Sequence, residues 1–239
     1  EEKRKQRRLA PLDQKLVDAV RDRHGLGGAE LLHPRLMYRL FAPFWSDEAG
    51  YARIEQFTRY PEVRSDFSQY DRKNSGQASL SLPPDYVAVR FYFSECFPDT
   101  PENRAFAQGV VASLAERQPV VLLNPGFSVD EHQDWSGSAT NRVQVIANHL
   151  SPETNLAVQA AVIRGARAFV GTYGGYSYLA PMCGVPATAF FSRRTFKRHH
   201  LYAAERAFEQ MRAAALTVVD VSAASLVHSA LGAVAAVHS

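Results

Sequence analysis

Apolar residues follow two different rhythms along this chain of 239 residues. Over residues 1 to 24, Leu9, Leu12, Leu16, Val17 and Val20 recur at near-helical spacing among charged neighbours. That pattern predicts one or two surface helices, ended by Gly25-Leu26-Gly27-Gly28. The run from Leu31 to Trp45 predicts an aromatic-rich helix burying one face, and residues around Tyr51 to Tyr60 predict another. Asp71 to Pro84 is polar, carries Gly, Ser and a Pro pair, and reads as a linker.

From Tyr86 the rhythm changes to strand-like and helix-like runs in alternation. Strands are predicted over Tyr86–Phe93, Pro119–Asn124, Arg142–Ala147, Phe169–Thr172, Ala187–Phe191 and Leu216–Val221. Helices are predicted over Thr100–Arg117, opened by Thr100 with Pro101 at its first position, and over Pro152–Gly165, capped by Ser151. Two more are predicted over Thr195–Ala214 and Ala223–Val237. Six strands in alternation with helical runs argue for an α/β fold, a parallel sheet of about six strands with helices on both faces. A helical segment with a linker, residues 1–84, precedes it and reads as an appendage or as the tail of a missing domain, and residues 85–239 are expected to form the sheet domain.

Composition fits a globular protein, since 46% hydrophobic residues can build a substantial core. The net charge of +3 is local, because residues 1 to 40 hold ten Lys or Arg against six Asp or Glu. The run Glu1-Glu2-Lys3-Arg4-Lys5-Gln6-Arg7-Arg8 reads first as a solvated helix face and second as a peripheral membrane contact, without a case for nucleic acid. Cys96 and Cys183 lack metal-ligand spacing and read as reduced core residues of a cytoplasmic protein. No apolar run reaches membrane-spanning length. The chain begins with Glu, as a processed product or a fragment would.

The richest chemistry lies in Ala166-Arg167-Ala168-Phe169-Val170-Gly171-Thr172-Tyr173-Gly174-Gly175-Tyr176-Ser177-Tyr178-Leu179-Ala180-Pro181. It predicts a buried strand, a paired-glycine turn and a helix N-terminus. Parallel sheets present ligands at such crossings, beyond the carboxyl ends of the strands. Glycine lets the backbone turn sharply and approach a ligand closely, and the first amides of a helix lack intrahelical acceptors. Together these point to a phosphate site.

From Tyr86 onward the chain resembles the nucleotide-binding C-terminal half of GT-B glycosyltransferases, most specifically the heptosyltransferase-like group. Those proteins place an aspartate, a small residue, a glycine, two spacers and a histidine in this turn, then Leu-Ala, an apolar helix and Gly-Val-Pro. Here the run is Tyr173, Gly174, Gly175, Tyr176, Ser177, Tyr178, Leu179 and Ala180, then Gly184-Val185-Pro186. Asn148-His149-Leu150-Ser151-Pro152-Glu153-Thr154-Asn155-Leu156 is similar to the short strand–loop–helix upstream. The family's aspartate is Tyr173 here and its histidine is Tyr178, so phenol hydroxyls and rings stand where charged groups would be.

The resemblance implies a Rossmann-like domain and sugar transfer from a nucleoside-diphosphate sugar to a hydroxyl of a carbohydrate or glycolipid acceptor, with no metal and no further cofactor. Helix N-termini and basic side chains would meet the charge on the departing diphosphate. A non-catalytic nucleotide- or glycan-binding scaffold is the main alternative, and a nucleotide-sugar isomerase or hydrolase a third. No catalytic base is identified.

Candidate ligand contacts are Thr172, Tyr173, Gly174, Gly175, Tyr176, Ser177 and Tyr178 of the turn. The competing reading is a turn needed only for packing. Arg90, inside an apolar strand, either reaches a diphosphate or pairs with a carboxylate such as Glu95 or Asp99. Ser94 and Glu95 follow that strand, where Glu95 is a sugar contact or a solvated carboxylate. Asn124 and Gly126 end the second strand, before a loop whose Asp130, Glu131, His132, Gln133 and Asp134 could hold ribose hydroxyls or lie free on the surface. Asn148 and His149 end the third strand and border a base or serve structure alone. Arg193, with Arg194, Lys197, Arg198, His199 and His200, follows the fifth strand as a phosphate clamp or a solvated cluster. His33 would be the residue of interest in the front segment, facing an acceptor.

Overall fold

The computed structural model describes residues 11–27, 80–126, 133–152, 154–196 and 198–223. By contact the chain separates into Glu1–Arg59 and Tyr60–Ser239. In the first unit a helix, α1, spans Pro11–His24 and carries Arg21, Arg23 and His24 in its last turn. The two arginines there complement the partial negative charge of the carbonyl end. Leu16 and Val20 of α1 are exposed, so this is a surface helix as its spacing implies. The expected helices over 31–45 and 51–60, and the last one beyond Ala223, lie outside the described residues, as do His33, Asp130, Glu131, His132 and Lys197. Among the described residues no helix is long and apolar enough to cross a membrane.

The described residues of the second unit form eight strands, in chain order β1 (Val87–Arg90), β2 (Tyr92–Phe93), β3 (Val120–Leu122), β4 (Gln133–Asp134), β5 (Val143–Val145), β6 (Ala168–Thr172), β7 (Ala187–Phe191) and β8 (Leu216–Asp220). Six of them form one parallel sheet in the spatial order β5-β3-β1-β6-β7-β8, and β2 pairs with β4 apart from it. The large sheet therefore grows outward in both directions from the β1–β6 pair, a Rossmann-like arrangement whose topological switch point lies between those two strands.

Helix α2 (Pro101–Arg117) follows β2 and opens with the Thr100 Oγ1 accepting from the Asn103 amide at 3.2 Å. Ala107, Val110, Val111 and Leu114 are buried along it. They pack with Val87, Val89, Val120 and Leu122 on one face of the sheet. On the opposite face, Ala88, Val121, Leu123 and Phe169 pack with Val158, Val162 and Ile163 of α3 (Asn155–Arg164) and Ala180 of α4 (Gly175–Met182). Alternate residues of one strand thus serve opposite layers, as the pleat requires. A fifth helix, α5 (Arg198–Met211), precedes β8.

Three departures from expectation bear on the site. The strand predicted over Tyr86–Phe93 stops at Arg90 and resumes as β2, which runs antiparallel to β4. The cause is Thr172. Its Oγ1 accepts from the Tyr92 amide at 3.0 Å and donates to the Tyr92 carbonyl at 2.9 Å, replacing the backbone ladder at that point. The helix predicted from Pro152 begins at Asn155, because Ser151 and Thr154 exchange side-chain and backbone bonds in the turn before it. The third strand of the large sheet ends at Val145, and Asn148 and His149 lie on a short 3-10 turn, Ala147–His149.

Candidate functional site

At the switch point β6 ends in Thr172, and the chain passes through Tyr173 and Gly174 into α4. The two glycines of this turn differ in what surrounds them. Gly174 has φ 154°, and a Cβ added there would collide with the Tyr92 hydroxyl. That hydroxyl donates to the Tyr173 carbonyl at 3.2 Å, so Tyr92 of β2 closes over the turn. Gly174 is therefore demanded by the protein's own packing. Gly175 is exposed, its φ is unexceptional, and a Cβ there would meet nothing within 4 Å. Packing gives no reason for glycine at 175, where open space lies over the backbone at the start of a helix.

The helix start is partly satisfied from within. Ser177, fully buried, accepts from the Gly174 amide through Oγ at 3.1 Å and donates to the Gly174 carbonyl at 2.7 Å. The amides of Ser177 and Tyr178 also donate to that carbonyl. Among the described residues no acceptor meets the Gly175 amide.

Beneath Tyr92, Arg90 is the centre of a buried polar network. Its Nε and Nη2 donate to the two oxygens of Asp134 at 3.2 and 3.3 Å, and its Nη1 donates to Gln159 Oε1 at 2.9 Å. Gln159 in turn donates to Asn155 Oδ1 at 2.5 Å, and the guanidinium lies 4.1 Å from the ring centroid of Tyr176. One side chain thus ties β1, β4, α3 and α4 together. The expected partners were Glu95 or Asp99, but Glu95 is exposed and Asp99 holds Arg104 on the surface. Asp134 is carried to Arg90 by the β2–β4 pairing, which places residue 134 opposite residue 92.

No family model and no curated protein matches this chain.

Tyr173 and Tyr178 bond to each other through their hydroxyls. The Phe196 ring lies 4.4 Å from that of Tyr173, and the Phe208 ring 6.4 Å from that of Tyr178. Burial in this aromatic setting pushes both phenols above the ordinary tyrosine range. The loop after β2 is pinned by Cys96. Its carbonyl accepts from the Ser192 and Arg193 amides, and its thiol lies 3.3 Å from Ser94 Oγ. Burial raises that thiol's pKa, keeping it protonated and a weak nucleophile.

The structure thus brings Arg90, Ser94, Thr172, Tyr173, Gly174, Gly175, Tyr176, Ser177, Tyr178 and the backbone of Arg193 around one crossing. Asn124, Gly126 and Asn148 lie apart from it, beyond the ends of β3 and β5. The Arg193 side chain is exposed, and Arg194 leans to Asp220 at 3.7 Å. Tyr92 and Gln159 escaped sequence reasoning. Tyr92 reads as one more core aromatic, and Gln159 becomes legible only once the sheet places α3 beside β1.

Proposed function

We propose that the sheet domain is the donor-binding part of a GT-B-type glycosyltransferase, which moves a sugar from a nucleoside-diphosphate sugar to a hydroxyl acceptor. The observation that carries this reading is Gly175. It stands at the switch point, opens a helix, and has an amide that none of the described residues meets and no packing need for glycine. A diphosphate seated there would meet the helix N-terminus, whose partial positive charge favours phosphate as leaving-group charge develops. Arg193, exposed after the neighbouring strand β7, would supply a positive side chain at the same edge. Arg90 has a different part. With its charge met by Asp134, it fixes Tyr176 in the first turn of α4.

One observation favours the alternative of a non-catalytic nucleotide- or glycan-binding protein. Tyr173 and Tyr178 satisfy each other, so neither hydroxyl is poised to move a proton. The transferase and the nucleotide-binding form of the alternative both require nucleotide binding, and turnover separates them. Titration calorimetry with ADP, GDP and UDP tests the shared part, and incubation of the corresponding sugar donors with carbohydrate acceptors tests the transferase. Heat with at least one nucleotide is expected. Absence of heat with all three would overturn the reading, and binding without product from any donor would leave the scaffold.

A further inference from the structure

Away from the switch point, the chain just past β3 carries a buried polar group that the fold leaves unmatched. Asn124 is 5% exposed. Among the described residues neither its Oδ1 nor its Nδ2 has a hydrogen-bond partner, and neither atom reaches the surface. Other buried polar side chains at the carboxyl edge behave differently. Arg90, Thr172, Ser177 and Asn103 all have partners. Gln118 leaves one nitrogen unmatched, but it precedes β3 at the opposite edge of the sheet. Asn124 alone among the described residues leaves a donor and an acceptor of one planar group unmatched.

We propose that the Asn124 amide reads the edge of a nucleobase. This rests on the nucleotide-binding reading above and assigns its base subsite. An amide offers an N–H donor beside a carbonyl acceptor in one plane, which complements the adjacent acceptor and donor on a base edge. A phosphate oxygen carries no proton and would match only the Nδ2 donor, leaving Oδ1 unmet. Position agrees with this. β3, β1 and β6 are consecutive neighbours, so β3 and β6 lie two strand spacings apart, roughly 10 Å, and Asn124 and Gly175 follow their carboxyl ends. A nucleoside diphosphate, with its phosphates on the Gly175 turn, spans such a gap through its ribose. The amide is covered in the free protein, so the base reaches it only as that cover shifts, and pairing then removes a standing cost of two unmet polar atoms.

The test compares wild type with Asn124→Leu, which keeps the forked shape of the side chain and removes both polar atoms. Thermal melts of the free proteins and calorimetry with ADP, GDP, UDP, CDP and base-free pyrophosphate are the measurements. Wild type is expected to bind at least one nucleotide more tightly than pyrophosphate. The variant is expected to melt no lower than wild type and to lose on the order of tenfold in affinity for that nucleotide, while its pyrophosphate binding is unchanged. Equal nucleotide affinity in wild type and variant overturns the base assignment while nucleotide binding stands. A lower melting temperature with base preference intact also overturns it, because the amide would then be serving the fold through an internal water. Binding of neither nucleotide nor pyrophosphate by wild type overturns both readings together.

Discussion

Two neighbouring ends of the same sheet treat their buried polar groups in opposite ways. Where β1 meets β6, the Arg90 guanidinium, the Thr172 and Ser177 hydroxyls and the Asn155–Gln159 amides are each matched within the chain. Past the end of β3, one strand over, Asn124 is matched by none of the described residues. A buried group satisfied internally is accounted for by the fold itself, whereas an unsatisfied one asks for a partner. The same contrast recurs between adjacent residues, with Gly174 fixed by Tyr92 and Gly175 facing open space.

The matched end should suffer most from Asp134→Ala, which strands the Arg90 charge in the interior. Urea denaturation should show a loss of about 3–5 kcal/mol, and the double variant Arg90→Met/Asp134→Leu should recover most of it. A loss below about 1 kcal/mol would mean that the network is hydrated and not a closed anchor.

Next in size is Gly174→Ala, whose Cβ collides with the Tyr92 hydroxyl, and a loss of about 2–3 kcal/mol is expected in the same denaturation experiment. Adding Tyr92→Phe should recover part of it, since removing the hydroxyl relieves the closest contact but leaves the unusual φ. No recovery would place the cost in the backbone alone.

Smaller again is Tyr178→Phe, which leaves the Tyr173 hydroxyl without its partner at a cost of about 1–2 kcal/mol. Tyr173→Phe/Tyr178→Phe should cost less than the sum of the single changes. The pair also sets a pH dependence. Both phenols have folded pKa values raised above the ordinary 10.0, chiefly by burial, so their contribution is complete below that pH. It is lost as pH rises beyond that value, because the unfolded chain releases protons that the folded chain retains. Stability measured from pH 9 to 11 should therefore fall more steeply for wild type than for the double Phe variant.

Much of the architecture is legible in the sequence because parallel strands buried on both faces read as short apolar runs, and all six strands of the large sheet are placed by that signal. The turn at Gly174-Gly175 is equally visible, since a glycine pair between an apolar strand and an apolar helix marks a tight crossing. What escapes is the small β2–β4 sheet. Gln133-Asp134 is two polar residues with no strand signature, and its pairing with Tyr92-Phe93 depends on a single hydroxyl, Thr172, ending the ladder of β1. The true partner of Arg90 follows from that pairing. The cost of a bare charge in an apolar strand announces a carboxylate, but sequence distance favours Glu95 and Asp99 over Asp134.

Gly175, unlike Gly174, is kept open for a ligand on this view, and Gly175→Ala tests that difference most directly. Glycine in a helix is disfavoured relative to alanine by roughly 0.5–1 kcal/mol, so the variant should match or exceed wild type in stability. Paired calorimetry should then show that wild type binds ADP, GDP or UDP and that Gly175→Ala loses about tenfold or more of that affinity while its melting temperature is undiminished. Unchanged nucleotide affinity in a stable Gly175→Ala protein, or no nucleotide binding by wild type, would contradict it.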